Sequence, residues 1–577
     1  MEDGFGGAFE PLLLFSAFLC VLVWLYRRAY PRPYPGIPYN AKSAGRILGD
    51  IPDLLEAVKT ANDPAKFVFR QCRKLGSPVI QLFLKPFHAP IIFIDDVREV
   101  KDLIGLRTKE FDRAPSTSAV FAPLSPHSSI VKPTNAQWRD QRRYWEGLMG
   151  KSFLHRVVAP KMYESAQHVV ALFQAKAAIA DGRPFDVMDD FDVAAFDIIW
   201  HSIMGSKLDG LKSQHSRLCE VTASAVAAQP ASKDAPAVFP TFPTPPIHQG
   251  MNFFVHSIEK TLKSFSQPWH HWFLRQLPEY KRYWALKNRL LDSHIEETRR
   301  LYAGLSDDEA AERADTCALD LGIRRERLEF KDKFGKVAVP TTAELHDELF
   351  LFLIAGHDTT AVTLSWALKF LTNHPEAQTK LRQSLREAFP NNPAAGGVEG
   401  SLPSVEEILA KTVPYMEACL EEMVRLGNIH PRLVRIAVRD TEVLGCPIPK
   451  GAQVLSSSYV GERLLEEVPE ARRSRRSQQC RNNFLAHWDP RGMDDFVPER
   501  WLDGDKYEPK SFPRMAFSAG PRVCYGQKFA LQELRITLTL LILSFKLEPI
   551  PDVLNSMAGF QRVLRVPKQS FVRLAVL

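Results

Sequence analysis

The feature that most constrains the fold of this 577-residue chain is a segment near its carboxyl end, which reads FSAGPRVCYG from Phe517 to Gly526. It places Cys524 at the start of an apolar segment with helical spacing. Backbone N–H groups at a helix start lower the pKa of a thiol, and the thiolate is the form that binds a soft metal ion. Gly520 and Gly526 allow the backbone to approach a flat ligand, and Arg522 can pair with a carboxylate. The segment therefore predicts a metal-bound thiolate beside a planar, anionic ligand.

The composition is that of a folded globular protein. Hydrophobic residues make up 45% of the chain and charged residues 24%, with a mean hydropathy of −0.18, which excludes a disordered chain and a polytopic membrane protein. The net charge of +7 is small for this length and does not indicate nucleic-acid binding. The eight cysteines include no C-x-x-C pair, which argues against a zinc ribbon or a thioredoxin-like motif.

One apolar segment near the amino terminus predicts a membrane anchor. From Pro11 to Tyr26 the chain carries no charge, and Arg27 and Arg28 follow directly. At about 1.5 Å per residue this core is slightly shorter than a ~30 Å hydrocarbon layer, but extension back to Phe5 completes the span. We predict a single transmembrane helix within residues 1–28, with a lumenal amino terminus and a cytosolic body at the endoplasmic reticulum. A cleaved signal peptide is the alternative, which the position of the arginines disfavours.

Residues 29–40 form a predicted stiff connector, because their prolines hold the backbone extended. The remainder, 41–577, shows mostly helical spacing of apolar residues, so we predict one large domain that is mainly α with minor β. The predicted helices include 51–60, 137–149, 162–178, 194–204 and 284–302. The predicted strands are 79–84, 91–94, 443–454, 545–547 and 571–576.

Two segments break the helical pattern. Residues 229–246 hold six prolines together with Phe239 and Phe242, and are interpreted as a mobile surface insertion or as a lid that dips into the membrane. Residues 462–481 are rich in glutamate and arginine, including Arg472 and Arg473, and are interpreted as a solvated insertion.

A long apolar segment between Leu345 and Leu371 is interrupted by the sequence AGHDTT, from Ala355 to Thr360. Glycine, aspartate and threonine are unfavourable in the middle of a helix, which indicates a function that overrides local propensity. A threonine hydroxyl can bond to the carbonyl four residues back, here from Thr359 to Ala355, and open the helix into a groove.

Together these two segments resemble the cytochrome P-450 superfamily. Phe517–Gly526 is similar to its haem-binding loop, F-x-x-G-x-R-x-C-x-G, and Ala355–Thr360 to its oxygen-side motif, A-G-x-[DE]-T-[TS]. The resemblance extends in order and spacing from about Pro31 to Val566. The arginine-rich insertion before Trp488 further resembles microsomal members from filamentous fungi.

A third motif of the superfamily is structural. Glu422 and Arg425 match E-x-x-R, whose spacing places both charges on one helix face, and Arg500 in the segment FVPERW supplies the third member. A buried cluster of these charges is costly unless it is fully paired, so loss of one member should cost ~3–5 kcal/mol. Its expected role is to fold the haem-side core.

The resemblance also implies partners for the haem propionates. Trp138 and Arg142 resemble W-x-x-x-R, whose spacing can aim an indole N–H and a guanidinium at one propionate. Arg435 lies where the superfamily carries a further propionate-binding arginine, and Arg522 is the third expected anion partner. For W-x-x-x-R taken alone, an amphipathic helix with a basic face is the competing interpretation.

The resemblance implies a mechanism as well. Cys524 would be the thiolate ligand of the iron in haem b, which activates O2. Asp358 and Thr359 would deliver protons on the opposite side of the haem. Because the chain carries no nicotinamide- or flavin-binding string, electrons would come from NADPH through a separate reductase.

The expected partners are therefore this reductase, the membrane and a lipophilic small molecule, with no nucleic acid. Arg139, Arg143 and Lys528 would form a basic docking surface for the reductase, and a solvated face is equally compatible with them. The apolar segments 111–131 and 557–560 indicate a lipophilic substrate, which would be hydroxylated or epoxidised, in fungal secondary metabolism.

Two alternatives remain open. One is a haem-thiolate isomerase or peroxide-rearranging enzyme that needs no reductase, and the presence of Asp358 and Thr359 disfavours it. The other is a membrane-tethered haem-binding module without turnover, which the same two residues disfavour. Product formation coupled to NADPH oxidation separates the three possibilities.

Overall fold

The computed structural model describes residues 9–61, 64–264, 266–328, 341–390, 402–458, 468–479, 492–510 and 514–577. The helices are α1 (Phe9–Ala29), α2 (Ala41–Ala44), α3 (Ile51–Ala61), α4 (Pro64–Leu75), α5 (Val97–Gly105), α6 (Pro115–Phe121), α7 (Ala136–Tyr144), α8 (Lys151–Phe153), α9 (Ala159–Ala180), α10 (Met188–Met204), α11 (Gly210–Glu220), α12 (Thr222–Ala227), α13 (Pro246–Lys263), α14 (Gln267–Leu274), α15 (Pro278–Ala303), α16 (Asp307–Glu312), α17 (Ala318–Leu328), α18 (Thr342–Asn373), α19 (Pro375–Ala388), α20 (Val405–Ala410), α21 (Pro414–Gly427), α22 (Arg475–Gln479) and α23 (Gln527–Ser544).

The strands are short and come from separate parts of the chain. They are β1 (Val79–Leu82), β2 (Ile91–Ile94), β3 (Phe111–Arg113), β4 (Phe185–Asp186), β5 (Arg432–Ala437), β6 (Thr441–Val443), β7 (Cys446–Ile448), β8 (Gln453–Ser457), β9 (Leu502–Asp503), β10 (Lys506–Tyr507), β11 (Phe545–Glu548), β12 (Gly559–Gln561), β13 (Arg565–Pro567) and β14 (Phe571–Val576). The predicted class, mainly α with minor β, is confirmed.

The chain divides into two compact units. The sheet unit comprises Met1–Ala114, Arg432–Ser457 and Arg463–Asn482, and the helical unit comprises Pro115–Pro431, Ser458–Glu462 and Asn483–Leu577. The predicted boundaries at residues 28 and 40 stay predictions.

A five-stranded sheet organises the sheet unit. Its strand order is β1-β2-β8-β5-β3, with β2 and β8 parallel and the other neighbours antiparallel. The expected continuous strand over 443–454 is wrong, because the chain reverses after β6 at Leu444 and Gly445, where φ is 51° and 77°. The resulting hairpin pairs β6 with β7, and β8 begins only at Gln453.

The proline-rich connector lies along the sheet unit and has no helix of its own before α2. Buried Gln81 of β1 fixes it in place. The Tyr34 N–H donates to Gln81 Oε1 at 2.8 Å, and Gln81 Nε2 donates to the carbonyls of Ile37 at 2.7 Å and Tyr34 at 3.0 Å. Proline removes backbone donors from this segment, and the glutamine side chain satisfies groups that a neighbouring strand would otherwise bond.

The arginine-rich segment 462–481 is described over 468–479, where its charges divide into two groups. Arg473 is largely buried and forms two hydrogen bonds of 2.9 Å with the carboxylate of Asp96, which caps the start of α5. Arg98 of α5 in turn donates to Glu470 at 2.6 Å. The other arginines of the described part, Arg472, Arg475 and Arg476, are exposed, as expected for a solvated insertion. Trp488 lies outside the described residues.

Helix α18 lies in the core of the helical unit. Within the described residues it is the helix long and apolar enough to cross a membrane, but 72% of its most apolar stretch is buried inside the protein. It runs unbroken from Thr342 to Asn373, through the polar sequence Ala355–Thr360 that interrupts its apolar pattern. The three-stranded sheet β11-β14-β4 and the hairpins β9–β10 and β12–β13 complete the unit.

The proline-rich segment 229–246 is a loop up to the start of α13, as the sequence predicts. Phe239 and Phe242 are partly buried and pack against the core, and the ring of Phe239 contacts that of Phe185 at a centroid distance of 5.8 Å. The Ala237 N–H donates to Pro184 O at 2.8 Å. The two interpretations of this segment, a surface insertion and a lid, stay predictions.

Candidate active site

The cysteine loop of the helical unit presents Cys524 between a 3-10 turn, Gly520–Arg522, and the start of α23. The Cys524 N–H donates to Phe517 O at 2.9 Å, and the Gln527 N–H donates to Cys524 O at 3.4 Å. Gly520 adopts φ 70°, a left-handed conformation that glycine takes at no steric cost. The Cys524 side chain is exposed, and a Cβ atom at Gly526 would meet no protein atom within 4 Å. The loop therefore offers a sulfur atom next to open space.

The predicted lowering of the Cys524 pKa is wrong. Desolvation by the surrounding protein raises the pKa of this thiol, and the Gly526 N–H and the Arg142 guanidinium lower it only in part. The helix start does supply a favourable N–H group, as the sequence suggested. Its effect is smaller than that of desolvation, which the sequence does not show.

Two arginines of the helical unit lie on aromatic rings beside this loop. The Arg142 guanidinium carbon lies 3.8 Å from the centroid of the Tyr525 ring, and that of Arg522 lies 4.1 Å from the Trp138 ring. Arg522 is held by hydrogen bonds to Thr134 Oγ1 at 2.8 Å, Lys132 O at 2.6 Å and Ser129 O at 3.2 Å. Trp138 and Arg142 thus contact residues of the cysteine loop through cation–π interactions, and the roles of Trp138, Arg142 and Arg522 as propionate partners stay predictions.

These residues fit an iron porphyrin. Burial lowers the pKa of Arg142, and no carboxylate among the described residues lies within ion-pair distance of it. A half-buried guanidinium without a carboxylate partner is costly unless an anion binds it, and a propionate is such an anion. Together with an exposed cysteine sulfur, the donor set matches a thiolate-bound haem.

Arg435 lies on β5 in the sheet unit, directly opposite Arg113 of β3. Burial and, to a smaller extent, the charge of Arg435 together lower the pKa of Arg113 to about 10. Like charges at one cross-strand position repel each other, so an anion bound there would be favourable. The sequence analysis missed Arg113, because only the register of β3 on β5 reveals the pair. The role of Arg435 stays a prediction.

Asp358 and Thr359 lie on the continuous helix α18. The Thr359 hydroxyl donates to Ala355 O at 2.8 Å, which is the bond that the sequence predicts. Desolvation raises the pKa of Asp358, and the neighbouring Asp192 raises it further, whereas His357, Arg562 and His256 lower it. Asp358 therefore holds a proton at a higher pH than an ordinary aspartate does.

Gly356 has a packing function within the same motif. A Cβ atom at this position would lie 2.5 Å from Ile199 Cγ1 and 2.7 Å from Ile199 Cδ1 on α10. Only glycine lets α10 approach α18 so closely. The unfavourable glycine in a helix interior is thus explained by helix packing.

Sequence reasoning missed Glu533, which is fully buried on α23. Burial raises its pKa well above the ordinary value, and the Thr360 hydroxyl offsets this only in part. Glu533 therefore holds its proton to a higher pH than an ordinary glutamate does. A glutamate among the apolar residues of an otherwise buried helix is the sequence signal that could have revealed it.

The predicted cluster of Glu422, Arg425 and Arg500 is present and buried. Glu422 Oε1 accepts from Arg425 Nη2 at 2.7 Å, Arg500 Nε at 3.3 Å and the Val497 N–H at 3.0 Å. Oε2 accepts from Arg425 Nε at 2.8 Å and from the indole N–H of Trp501 at 2.9 Å. Five donors thus satisfy both oxygens of one carboxylate.

Comparison with known proteins agrees with this arrangement. The family model for cytochrome P450 matches residues 51–466 and 492–573. The crystal structure of the cytochrome P450DA heme domain superposes with a TM-score of 0.63 at 19% identity, over 95% of this chain and 98% of that one, which shows the shared fold.

Fungal proteins are similar over almost the full length. Cytochrome P450 monooxygenase GME11363 of Pestalotiopsis microspora is 30% identical, with 97% of each chain covered. Cytochrome P450 monooxygenase TRI13 of Fusarium sporotrichioides is 28% identical over 96% of this chain and 98% of its own. Cytochrome P450 monooxygenase xilC of Penicillium rubens is 30% identical over 98% and 96%.

The fold and the cysteine loop thus define a haem monooxygenase. The chain belongs to the cytochrome P450 family. It is accordingly an oxidoreductase that uses haem iron and O2, receives electrons from a reductase and acts on small molecules.

Proposed function

We propose that this protein is a membrane-anchored monooxygenase that binds haem b through Cys524 and receives electrons from NADPH through a separate reductase. Its substrate is a lipophilic small molecule of fungal secondary metabolism. The observation that carries the proposal is the exposed sulfur of Cys524 beside Arg142 and Arg522, in the same compact unit as Asp358 and Thr359.

The overall reaction fixes what the residues must do. One substrate molecule, one O2, two electrons and two protons give one oxygenated product and one water molecule. Haem iron with a cysteine thiolate ligand supplies the oxygen-activating chemistry when bound. The chain must hold the cofactor, supply two protons and exclude side reactions.

Arg142 and Arg522 hold the propionates in this proposal, and Arg435 contributes a further positive charge. The first two already have fixed orientations, Arg142 on Tyr525 and Arg522 on Trp138. Such pre-positioned guanidinium groups bind carboxylates with little loss of side-chain freedom.

Asp358 and Thr359 supply the protons. Asp358 retains its proton at higher pH than an ordinary aspartate, so it can act as an acid. The Thr359 hydroxyl gives its hydrogen to Ala355 O, which leaves its oxygen free to accept a hydrogen bond. Thr359 therefore orients the group to which Asp358 passes a proton.

Replacing the cysteine tests the proposal directly. Cys524→Ser should abolish incorporation of labelled oxygen from O2 into members of a lipophilic metabolite panel, and the ferrous carbonyl spectrum should lose its thiolate signature. Cys419→Ser, at a buried cysteine of the same unit, is the matched control and should retain the signature. An unchanged spectrum in Cys524→Ser would refute the ligand assignment.

The role of the Thr359 hydroxyl is tested by measuring whether the electrons from NADPH end in product or in hydrogen peroxide. Thr359→Ala should retain haem and substrate binding but convert most NADPH consumption into hydrogen peroxide. Thr363→Ala removes an equivalent bond one turn later, from Thr363 Oγ1 to Thr359 O at 2.8 Å, and should leave coupling unchanged. Full coupling in Thr359→Ala would exclude its role.

The basic surface for the reductase includes Arg139, Arg143 and Lys528, which are exposed in the helical unit. Charge steering of an acidic partner is strongest at low ionic strength. Arg139→Glu combined with Arg143→Glu should slow reduction at low salt, whereas Arg300→Glu, at a still more exposed arginine of α15, should not. Equal rates in all three proteins would remove this surface from the proposal.

Membrane attachment at the endoplasmic reticulum, with a lumenal amino terminus, is supported by α1. Its described apolar side chains are exposed, including Leu14, Phe15 and Trp24, and Arg27 and Arg28 lie in its last turn. Helix α14 adds the exposed rings of Trp269, Trp272 and Phe273. Deletion of residues 1–28 should release the protein from microsomes at high salt, and full retention would argue against the anchor.

A further inference from the structure

A buried polar cluster lies behind Asp358, on three helices of the helical unit. It consists of Asp192 on α10, His248 and Asn252 on α13, and His357 on α18. Asp192 Oδ2 accepts from His248 Nε2 at 2.8 Å and from Asn252 Nδ2 at 2.8 Å. His357 is fully buried and contacts this pair through Asn252. Four polar side chains in one apolar core require a function or a complete set of hydrogen bonds.

The hydrogen bonds define the charge of His357. Its Nδ1 lies 2.8 Å from Leu353 O, and its Nε2 lies 3.2 Å from Asn252 Oδ1. The orientation of the Asn252 amide is fixed, because its Nδ2 donates to Asp192. Both partners of His357 are therefore oxygen acceptors, so both ring nitrogens donate and the ring is positively charged.

Asp192 is the counter-ion of this ring. Its Oδ1 lies 4.0 Å from His357 Nε2. Burial raises the pKa of Asp192, but the bonds from His248 and Asn252 and the charge of His357 outweigh burial and lower the pKa to about 2. The pair thus combines one negative and one positive charge next to Asp358.

The other charged groups that face this region are few among the described residues. Those that act on Asp358 are His357, Asp192, Arg562 and His256, and those that face the His248–Asp192 pair include Asp189 and Asp197. His357 and Asp192 act on Asp358 in opposite directions, so a change in either one alone alters the charge that Asp358 experiences.

We propose that Asp192, Asn252 and His357 form a positioning cluster that holds a compensated pair of charges behind Asp358 and thereby sets the pH range in which Asp358 delivers protons. This inference rests on the proposed role of Asp358. None of the three residues needs to contact substrate or haem. Asn252 fixes His357 in its doubly protonated form, and Asp192 neutralises it.

The first test is independent of turnover. Protein labelled with 15N-histidine should show a doubly protonated ring by NMR at pH 8, in its ferrous carbonyl form, and this signal should be absent from His357→Gln. Asp192→Asn should shift the signal to that of a neutral ring. A neutral His357 in the wild-type protein at pH 8 would overturn the proposal.

The second test follows proton delivery without any substrate. Purified protein, reductase, NADPH and air-saturated buffer yield hydrogen peroxide when two electrons and two protons reach O2, and water when four of each do. The ratio of peroxide to NADPH consumed should rise with pH as Asp358 loses its proton. In His357→Gln the midpoint of this rise should move up by about one pH unit, because the positive charge that favours ionised Asp358 is lost.

A double variant distinguishes an effect of the lost charge on Asp358 from an effect of disturbed structure. Asp192→Asn combined with His357→Gln restores a neutral pair, so the midpoint should return toward the wild-type value. A purely structural role would leave the double variant no better than the single one, and this outcome would overturn the proposal. His374→Gln is the matched control, since His374 makes the same bond to a carbonyl four residues back, to Phe370 O at 2.8 Å, without a charged partner in the cluster. Its midpoint should not move.

Asp358→Asn distinguishes failure of the inference from failure of the proposed function. If this variant leaves the peroxide ratio independent of pH while His357→Gln leaves the midpoint of its rise with pH at the wild-type value, the proposed role of the cluster is refuted. The proposed role of Asp358 then stands. If Asp358→Asn behaves like the wild type at every pH, the role of Asp358 itself is refuted, and the inference falls with it.

Discussion

Two buried charge clusters in the helical unit differ in how completely they are paired. In the first, the carboxylate of Glu422 accepts five hydrogen bonds, two of them from Arg425 and one from Arg500. In the second, Asp192 accepts hydrogen bonds from His248 and Asn252 and lies 4.0 Å from His357. His248 Nδ1 is buried and has no hydrogen-bond partner among the described residues. The first carboxylate is fully hydrogen-bonded, whereas the second cluster leaves one ring nitrogen of His248 without a partner in the part of the chain that the structure describes.

The chemistry of the cations explains this difference. A guanidinium does not lose its proton in a protein, so Arg425 and Arg500 require a permanent anion. The charge of an imidazole, unlike that of a guanidinium, depends on its hydrogen-bond partners, so His357 is a cation because both of its partners accept hydrogen bonds. A fully paired arginine cluster stabilises the fold, whereas the histidine cluster affects the charge that surrounds Asp358.

The largest expected effect comes from breaking the fully paired arginine cluster. Glu422→Ala should lower the free energy of unfolding by ~3–5 kcal/mol, because it leaves two guanidinium groups without their anion. Urea unfolding and the yield of haem-loaded protein measure the effect. Glu296→Ala removes an exposed partner of Arg300 and should cost less than about 0.5 kcal/mol. Equal losses in the two variants would contradict the comparison.

A third buried group sharpens the comparison, because it is a lysine whose ammonium has no hydrogen-bond or ion-pair partner among the described residues. Lys287 of α15 is 1% exposed, and its Nζ lies 3.8 Å from the centroid of the Trp284 ring and 4.4 Å from that of Phe350. Burial lowers its pKa from 10.5 to about 7. The unfolded chain binds this proton more tightly, so the protein loses stability as the pH falls from about 10.5 to 7.

Lys287→Met should therefore stabilise the protein at pH 7 by about 2–4 kcal/mol. The gain should shrink as the pH rises toward 10.5, where Lys287 is neutral in both states. Thermal or urea unfolding at several pH values checks the slope. A loss of stability at pH 7 would show that the contacts with the two rings outweigh the cost of burying the charge.

Breaking the histidine cluster should cost less than breaking the arginine cluster. Asp192→Asn is expected to lower stability by about 2 kcal/mol at neutral pH, the value of a pKa lowered from 3.8 to about 2. A lowered aspartate pKa stabilises the protein only above the pKa of the same group in the unfolded chain. The difference in the free energy of unfolding between Asp192→Asn and the wild type should therefore be constant above about pH 4 and shrink as the pH falls toward 2. A loss as large as that of Glu422→Ala would break the comparison.

The smallest expected effect comes from a substitution that forces apart α10 and α18, the helices that carry Asp192 and His357. Gly356→Ala inserts a methyl group against Ile199 and should cost about 1–2 kcal/mol, since the core is already filled. Combination with Ile199→Ala should recover part of the loss, because the two closest atoms are removed. Gly427→Ala, whose Cβ would meet its nearest neighbour at 3.5 Å, is the matched control and should be neutral within about 1 kcal/mol.

The two clusters also show what the sequence can predict. Glu422 and Arg425 are three residues apart on one helix, so local spacing reveals their pairing, and the bond from Thr359 to Ala355 is local in the same way. His248 is 56 residues from Asp192, and His357 is 105 residues from Asn252. Only helix packing brings them together, and no local pattern records that packing.

The errors have related physical causes. The pKa of Cys524 was expected to fall because helix geometry is visible in the sequence, whereas desolvation depends on residues far along the chain. Composition predicts that Arg473 and Glu470 face water, because their partners Asp96 and Arg98 lie more than 370 residues away in the sequence. Composition describes the charge of a segment but not the segment that neutralises it.

The bonds from Gln81 to the connector have a practical consequence for producing the protein. Soluble variants that begin after the apolar helix should be cut ahead of Tyr34, so that both ends of this clamp are retained. A cut after Ile37 would strip a buried glutamine in the first strand of its partners and weaken the edge of the sheet. The residue at which such a variant starts therefore matters as much as the removal of the apolar helix itself.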